Sequence, residues 1–312
     1  MDNSEIENGG RHLTHTSNSM VSSKKPIHLF LLLVSILAAI GYSVAFQMGD
    51  DNRTGGIFIV QFSPLVAAFI TKFVFQRNLR GLGWGWGKTR YQAAAYGLGF
   101  LLPLISFSLV WMFGFGGFFD VAFIDHARVD VANMFGLIID PTWALMIVLI
   151  ALGGTLGMLV AFGGIGEELG WRGFLVPELY KHYDFTKTSL ISGAIWAIFH
   201  WPLLILLLGP RLGVSPWVML PISLVAGIGL STIMAWFRLR SGSVWTAVIF
   251  HMALNIHNQS FFQNLTTETS WLTNYVSGEH GLMLAIVSAG IGYLFWRKRR
   301  ELPSNDRAAT EG

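Results

Sequence analysis

The chain contains eight apolar segments, each long enough to cross about 30 Å of hydrocarbon as a helix. They lie near residues 27–47, 56–75, 92–114, 142–164, 187–208, 216–237, 242–260 and 280–296. Lipid offers the backbone no hydrogen-bond partners, so these segments must form helices and not an open sheet. The sequence therefore predicts an all-α fold, a polytopic transmembrane helix bundle with about eight spans.

The composition excludes an ordinary water-soluble enzyme. Only 12% of the 312 residues are charged and the mean hydropathy is +0.52, whereas soluble proteins carry about 25% charged residues. The chain has no cysteine, which excludes disulfides, thiolate nucleophiles and cysteine-based metal sites. Lipid is therefore expected to cover most of the surface.

The basic residues predict the orientation of the bundle. If the number of spans is even, 18 of the 21 Lys and Arg residues fall on one side, and only Arg53, Arg128 and Arg211 fall on the other. The positive-inside rule then places both termini in the cytoplasm. The same distribution explains a pI near 9.2 without a nucleic-acid partner. We expect a multi-pass integral membrane protein of a bacterial inner or plasma membrane.

The polar stretches define the expected domain organisation. Residues 1–25 are predicted to be a disordered cytoplasmic tail, and residues 299–312 a second, basic one. Residues 26–298 form a single transmembrane domain. The stretch 115–141 is too polar to span and predicts a short interfacial helix.

Three spans contain ionisable or amide side chains, which cost several kcal/mol inside a membrane unless they are paired. Residues four apart share one face of a helix. The pairs with this spacing are Glu168/Arg172, Trp196/His200 and His251/Asn255. Glu167 is turned by about 100° from its neighbour, so the two carboxylates are expected to face different partners.

Together these side chains predict one buried cavity, because each polar group needs a partner. A carboxylate in an apolar pocket can act as a general base, and a neighbouring histidine can help to hold the attacking water. A second histidine and an asparagine can donate hydrogen bonds to an oxyanion. This set of groups suits peptide hydrolysis.

Each pair also has a structural interpretation. Glu168 and Arg172 can form an ion pair at a helix end, and His251 and Asn255 can form interhelical hydrogen bonds. Trp196 is interpreted as a packing residue. The alternative functions are a non-catalytic membrane scaffold and a transporter whose polar residues line a solute path.

The three motifs resemble those of the CPBP intramembrane proteases, the type II CAAX prenyl endopeptidases with their Abi and bacteriocin-processing relatives. The similarity covers residues 142–258, which are the expected motif-bearing core of the domain. Its motifs are Glu167-Glu168-x-x-x-Arg172, Trp196-x-x-x-His200 and His251-x-x-x-Asn255, in family order. The second motif often begins with Phe in this family, and Trp196 takes that place here.

The resemblance implies roles for the six residues. Glu167 and His200 would activate a water, His251 and Asn255 would stabilise the oxyanion, and Glu168 with Arg172 would orient the site. The substrate would be a membrane-associated peptide or protein, and the other partner the lipid bilayer. No cofactor is expected, because the chain lacks a His-Glu-x-x-His zinc signature. A divalent metal at Glu167, His200 and His251 is the alternative.

The depth of the site follows from the predicted spans. His200 lies roughly 20 Å from the cytoplasmic side at 1.5 Å per residue, whereas Glu167 follows the predicted end of the fourth span. The two can meet if the fourth span extends to about Leu169 or the fifth begins near Ser192. We expect the site in the cytoplasmic half of the bundle.

Overall fold

The computed structural model describes residues 23–48, 53–160 and 163–304. The predicted tails lie largely outside these ranges. The all-α prediction is confirmed, since the described chain is almost entirely helical. The helices are α1 Lys25–Gln47, α2 Thr54–Gln76, α3 Thr89–Met112, α4 Val121–Phe135, α5 Thr142–Val160, α6 Gly163–Glu168, α7 Val176–Tyr180, α8 Phe185–Leu203, α9 Gly209–Leu212, α10 Pro216–Ser241, α11 Trp245–Asn255, α12 Thr273–Val276 and α13 Leu282–Arg297.

Three helices continue into wider π-helical turns, which cover Leu169–Leu175, Leu204–Leu208 and Ile256–Phe262. A 3₁₀ turn, Lys298–Glu301, follows α13. Two short strands, β1 Gly117–Phe118 and β2 Thr266–Thr267, pair antiparallel. This pairing joins the stretch after α3 to the stretch before α12.

Among the described residues, five helical stretches are long and apolar enough to cross a membrane. They are α1, α2, α3, α10 and the stretch Phe185–Leu212, which begins with α8. The outer surface of these helices is apolar, as on α1, where Leu32, Ile36 and Ile40 are about half exposed. Such a surface fits lipid. The chain is an integral membrane protein, and the number of eight spans and the side of the termini remain predictions.

The two ends of the bundle differ in character. The "basic end" comprises the loop 77–88, the turn 181–184, the turn 242–244 and the segment from Lys298 onward. The "hairpin end" comprises β1, β2, α4 and α12. At the hairpin end the predicted helix within 115–141 is present as α4, and the Asp120 side chain caps it by accepting a hydrogen bond from the Phe123 backbone N–H (2.9 Å).

The stretch that carries Glu167 runs differently from the prediction. The described part of the predicted fourth span is helical over Thr142–Val160, and a continuous helical stretch covers residues 163–180. This second stretch packs closely along α2. A Cβ atom on Gly170 would lie 2.3 Å from the Cβ of Pro64, so only glycine permits this approach. Glu167 therefore lies in a helical stretch beside α2 that continues to Tyr180, well beyond the predicted end of the fourth span at residue 164.

Candidate active site

Glu167 and His200 come together from two different helices. The Oε2 atom of Glu167 lies 3.7 Å from Nε2 of His200 and accepts a hydrogen bond from the indole N–H of Trp196 (2.8 Å). Glu167 is 4% exposed. The structure therefore holds a buried carboxylate against an imidazole in the interior of the bundle.

Glu168 binds a second set of partners. Its Oε1 atom accepts hydrogen bonds from Nη1 of Arg172 (2.7 Å) and from Nδ1 of His251 (2.9 Å). All three side chains are buried. The two adjacent carboxylates thus face different partners, as the helix geometry predicts.

Trp196 lies at the centre of the site, a position that the sequence did not reveal. Its ring packs edge-on against His200 and His251, with centroids 5.4 and 5.5 Å apart. The Arg172 guanidinium lies 4.8 Å from the ring centroid, a cation–π distance. Interpreting Trp196 as a packing residue is therefore incomplete, since its indole also donates to Glu167. The signal available in the sequence was a tryptophan where the family often has phenylalanine.

The hydrogen bond of His200 determines which ring nitrogen faces Glu167. Nδ1 lies 2.9 Å from the carbonyl oxygen of Trp196, which can only accept, so Nδ1 carries the proton. In the neutral ring, Nε2 is then an acceptor. It faces the Glu167 carboxylate, another acceptor, so a donor placed between the two groups can bond to both.

Asn255 lies one helical turn after His251 on α11, on the same face. Its Oδ1 atom is buried and has no hydrogen-bond partner among the described residues. The structure thus brings five of the six predicted residues into one pair and one triad around Trp196. The sixth, Asn255, makes no hydrogen bond with the other five in the described part of the chain.

His200 lies far from the basic end when its depth is measured along α1. Beside His200, the backbone oxygen of Phe199 accepts a hydrogen bond from the Tyr42 hydroxyl (2.9 Å). At 1.5 Å per residue, Tyr42 is roughly 25 Å along α1 from Lys25, at the basic end, and about 8 Å from Gln47. His200 is therefore level with the last turns of α1 towards the hairpin end.

Helix α10 gives the same depth. The indole N–H of Trp201 donates to the hydroxyl of Ser223 (3.2 Å). Ser223 lies roughly 27 Å from Ser241 and about 10 Å from Pro216 at the same rise per residue. Helix α11 gives a different depth for His251, which lies seven residues, roughly 10 Å, after Val244 at the basic end. The site therefore extends through the middle of the bundle, and its place in the cytoplasmic half stays a prediction.

Two further ionisable residues lie beside the site. Glu279 and His280 precede α13 and line, with Trp196, His200 and Ser223, a chamber of about 20 Å³. The ring centroids of His200 and His280 are 6.2 Å apart. A chamber of this size has room for one water molecule. The sequence did not identify these two residues because they lie outside the helical i, i+4 pattern.

Electrostatics connect Glu279 to the site. Removal from water would raise the pKa of the Glu279 carboxyl, but His280, His200 and His251 outweigh this effect and hold the pKa below its usual range. The side-chain amide of Gln259 also donates to this carboxylate. Glu279 is therefore a carboxylate at neutral pH, directed towards the histidines of the site.

The described residues contain no group of three or more His, Cys, Asp or Glu side chains arranged to hold a metal ion. Glu167, His200 and His251, the alternative metal ligands, have other partners. Glu167 binds the Trp196 indole, and Nδ1 of His251 binds Glu168.

The part of the chain that carries the site is similar to a known family of membrane proteins. Residues 141–257 match the family of the type II CAAX prenyl endopeptidases, described as Rce1-like. The matched range contains all six predicted residues. The predicted resemblance to the CPBP proteases is confirmed.

A curated relative shows the same similarity. CAAX prenyl protease 2 of Methanococcus maripaludis is 30% identical to the chain over 97 residues. The aligned part is 30% of this chain and 35% of the relative, so the chain spans about a third of the length of the relative it matches. The similarity therefore concerns the helices that carry the motifs.

Proposed function

We propose that the protein is an intramembrane endopeptidase that hydrolyses a peptide bond of a membrane-associated protein or peptide. The observation that carries this proposal is the buried contact between Glu167 and His200, 3.7 Å apart on separate helices. The family match to prenyl endopeptidases supports it. The proposed membrane is a bacterial inner or plasma membrane, with both termini in the cytoplasm.

The contact between Glu167 and His200 suits the activation of water. Both facing atoms accept hydrogen bonds, so a water molecule between them would donate one proton to each. Its lone pair would then point away from the pair, towards a peptide carbonyl. As the water attacks, Glu167 takes one of its protons as general base, and Nε2 of His200 keeps accepting the hydrogen bond of the other O–H, which holds the oxygen in position. The proton is then available for the leaving amine.

The second set of residues suits stabilisation of the oxyanion. His251 donates its Nδ1–H to Glu168, so its Nε2 can donate only when the ring is an imidazolium. The Glu168 carboxylate, which accepts from His251 and Arg172, favours that form. Asn255 would supply an amide donor from the same face of α11. Donors fixed in a dry site stabilise developing charge strongly.

The proposal needs no metal, because the side chains themselves supply the base and the donors. A purified preparation should cleave a quenched fluorescent peptide that carries an apolar, membrane-inserting segment. Mass spectrometry of the products would locate the cleaved bond. We expect the same rate with and without a strong divalent-metal chelator.

Two outcomes would contradict this proposal. Absence of cleavage with a varied set of membrane peptides would favour a scaffold or a transporter. Loss of cleavage in chelator, restored by a divalent metal, would show that a metal activates the water.

The indole of Trp196 offers a more specific prediction. Trp196→Phe keeps an aromatic ring against His200 and His251 but removes the hydrogen bond to Glu167. Hydrogen bonds to charged groups contribute about 1.5–3 kcal/mol, so kcat should fall roughly 10- to 100-fold. KM should change little, since the indole would not touch the peptide. Steady-state kinetics measure both constants, and an unchanged kcat would show that the bond does not position Glu167.

A further inference from the structure

A polar cavity opens beside the site at the hairpin end. This "vestibule" has a volume of about 360 Å³, and its lining includes Arg211, Gln263, Asn264, Asn274, Glu279 and His280. Glu279 and His280 also line the chamber that contains His200. Glu279 and His280 are therefore shared between the linings of the two cavities.

The wall between the vestibule and the chamber is a short irregular segment. Gly278 has a φ of +84°, a conformation that favours glycine. A Cβ atom on Gly281 would lie 2.2 Å from the backbone oxygen of Ser277. Because α13 begins only at Leu282, Glu279 and His280 reach the lining of the chamber from this irregular segment.

The basic end is closed towards the site. The Arg238 guanidinium is buried there and donates to the backbone oxygens of Arg172 (3.0 Å) and Gly81 (2.9 Å). A cavity of about 420 Å³ lies at this end, with Arg80 and Arg238 in its lining. None of Glu167, His200 or His251 lines it. Packed aromatic residues, among them Trp171 and Phe174, fill the interior between this cavity and the site.

The lining of the vestibule indicates what it can accommodate. Its lining combines amide side chains with apolar ones, and it holds one cation, Arg211, and one anion, Glu279. Amides can donate to and accept from a peptide backbone, whereas a lipid tail offers them no partner. The volume is within the range of binding pockets for small ligands and suits a few extended residues.

We propose that the substrate enters from the hairpin end, as a polar extended peptide segment that passes through the vestibule and between Glu279 and His280 to reach the chamber. That the peptide in the vestibule is a substrate rests on the proposed function.

The absence of cysteine makes this route directly testable. Asn264→Cys places a thiol on the exposed rim of the vestibule, and Arg80→Cys places a matched thiol on the exposed rim of the basic-end cavity. Each variant would be assayed for peptide cleavage before and after modification with a bulky maleimide. We expect modification to lower cleavage at least 10-fold in Asn264→Cys and less than 2-fold in Arg80→Cys. The reverse pattern, or no effect at Asn264→Cys, would overturn the proposal.

A second measurement does not depend on proteolysis. In sealed proteoliposomes, Asn264→Cys and Arg80→Cys report which end of the protein a small, charged, membrane-impermeant thiol reagent reaches. We expect His280→Cys to react from the same side as Asn264→Cys. Reaction only from the side of Arg80→Cys, or from neither side, would refute the route. If the protein cleaves no peptide, the proposed function fails, and this labelling still decides whether the chamber opens to the hairpin end.

Discussion

Replacing Glu167 with glutamine should lower kcat by about 10³-fold, within the range of 10²- to 10⁴-fold that general acid–base groups contribute. Glutamine keeps the size of the side chain and can still accept the hydrogen bond from Trp196. It cannot take a proton from water at neutral pH. The loss should therefore appear in kcat, measured with the fluorescent membrane peptide, while the protein remains folded.

Glu178 provides a matched control on the same helical stretch. It is also a buried glutamate, but it pairs with Lys181 (2.8 Å) near the basic end. Glu178→Gln should leave kcat within a factor of two. A Glu167→Gln variant that cleaves as fast as the wild type would show that Glu167 is not the general base. Equal losses in both variants would point to a general effect of charge removal on the fold.

Replacing Arg172 with methionine should destabilise the protein by about 3–5 kcal/mol, the usual cost of leaving one partner of a buried pair uncompensated. Arg172 and Glu168 are both fully buried, with 2.7 Å between Nη1 and Oε1. Methionine keeps much of the volume but removes the positive charge. The measurement is thermal or denaturant unfolding of the purified protein in detergent.

Two further variants separate charge pairing from packing. Arg240 lies on the exposed side of α10, and Arg240→Met should change stability little. Adding Glu168→Gln to Arg172→Met should recover part of the loss, because the buried carboxylate is then neutral. If Arg172→Met is as stable as the wild type, the buried ion pair does not hold the site together.

The pairing inside the site could be predicted from the sequence because it follows from helix geometry. Four-residue spacing places Glu168 beside Arg172, and the 100° step turns Glu167 towards another helix. Apolar surroundings then require each of these groups to find a partner, and His200 and His251 were the available ones. The structure shows these contacts.

The depth of the site could not be predicted in the same way. Apolar length indicates that a helix exists but does not indicate where the helix ends. The fourth span is predicted to end at residue 164, whereas the helical stretch that carries Glu167 continues to Tyr180. Close packing of Gly170 on Pro64 sets the level of that stretch beside α2. This is a tertiary contact that no local pattern reports.

Glu279 and His280 were missed for a related reason. They lie on an irregular segment, where the sequence has no helical spacing that would assign side chains to a common face. Only the folded chain places them beside His200. The indole of Trp196 was visible in the sequence, but its bond to Glu167 depends on the approach of two helices.

A double-mutant cycle on Glu167 and His200 tests most directly whether the two side chains act on one water molecule. Four proteins would be compared by kcat on one membrane peptide: the wild type, Glu167→Gln, His200→Ala and the double variant. If both side chains act on one water molecule, their effects are not additive, and the double variant should be about as slow as the slower single variant. Multiplied losses in the double variant would show that the two residues act independently and would contradict a shared water.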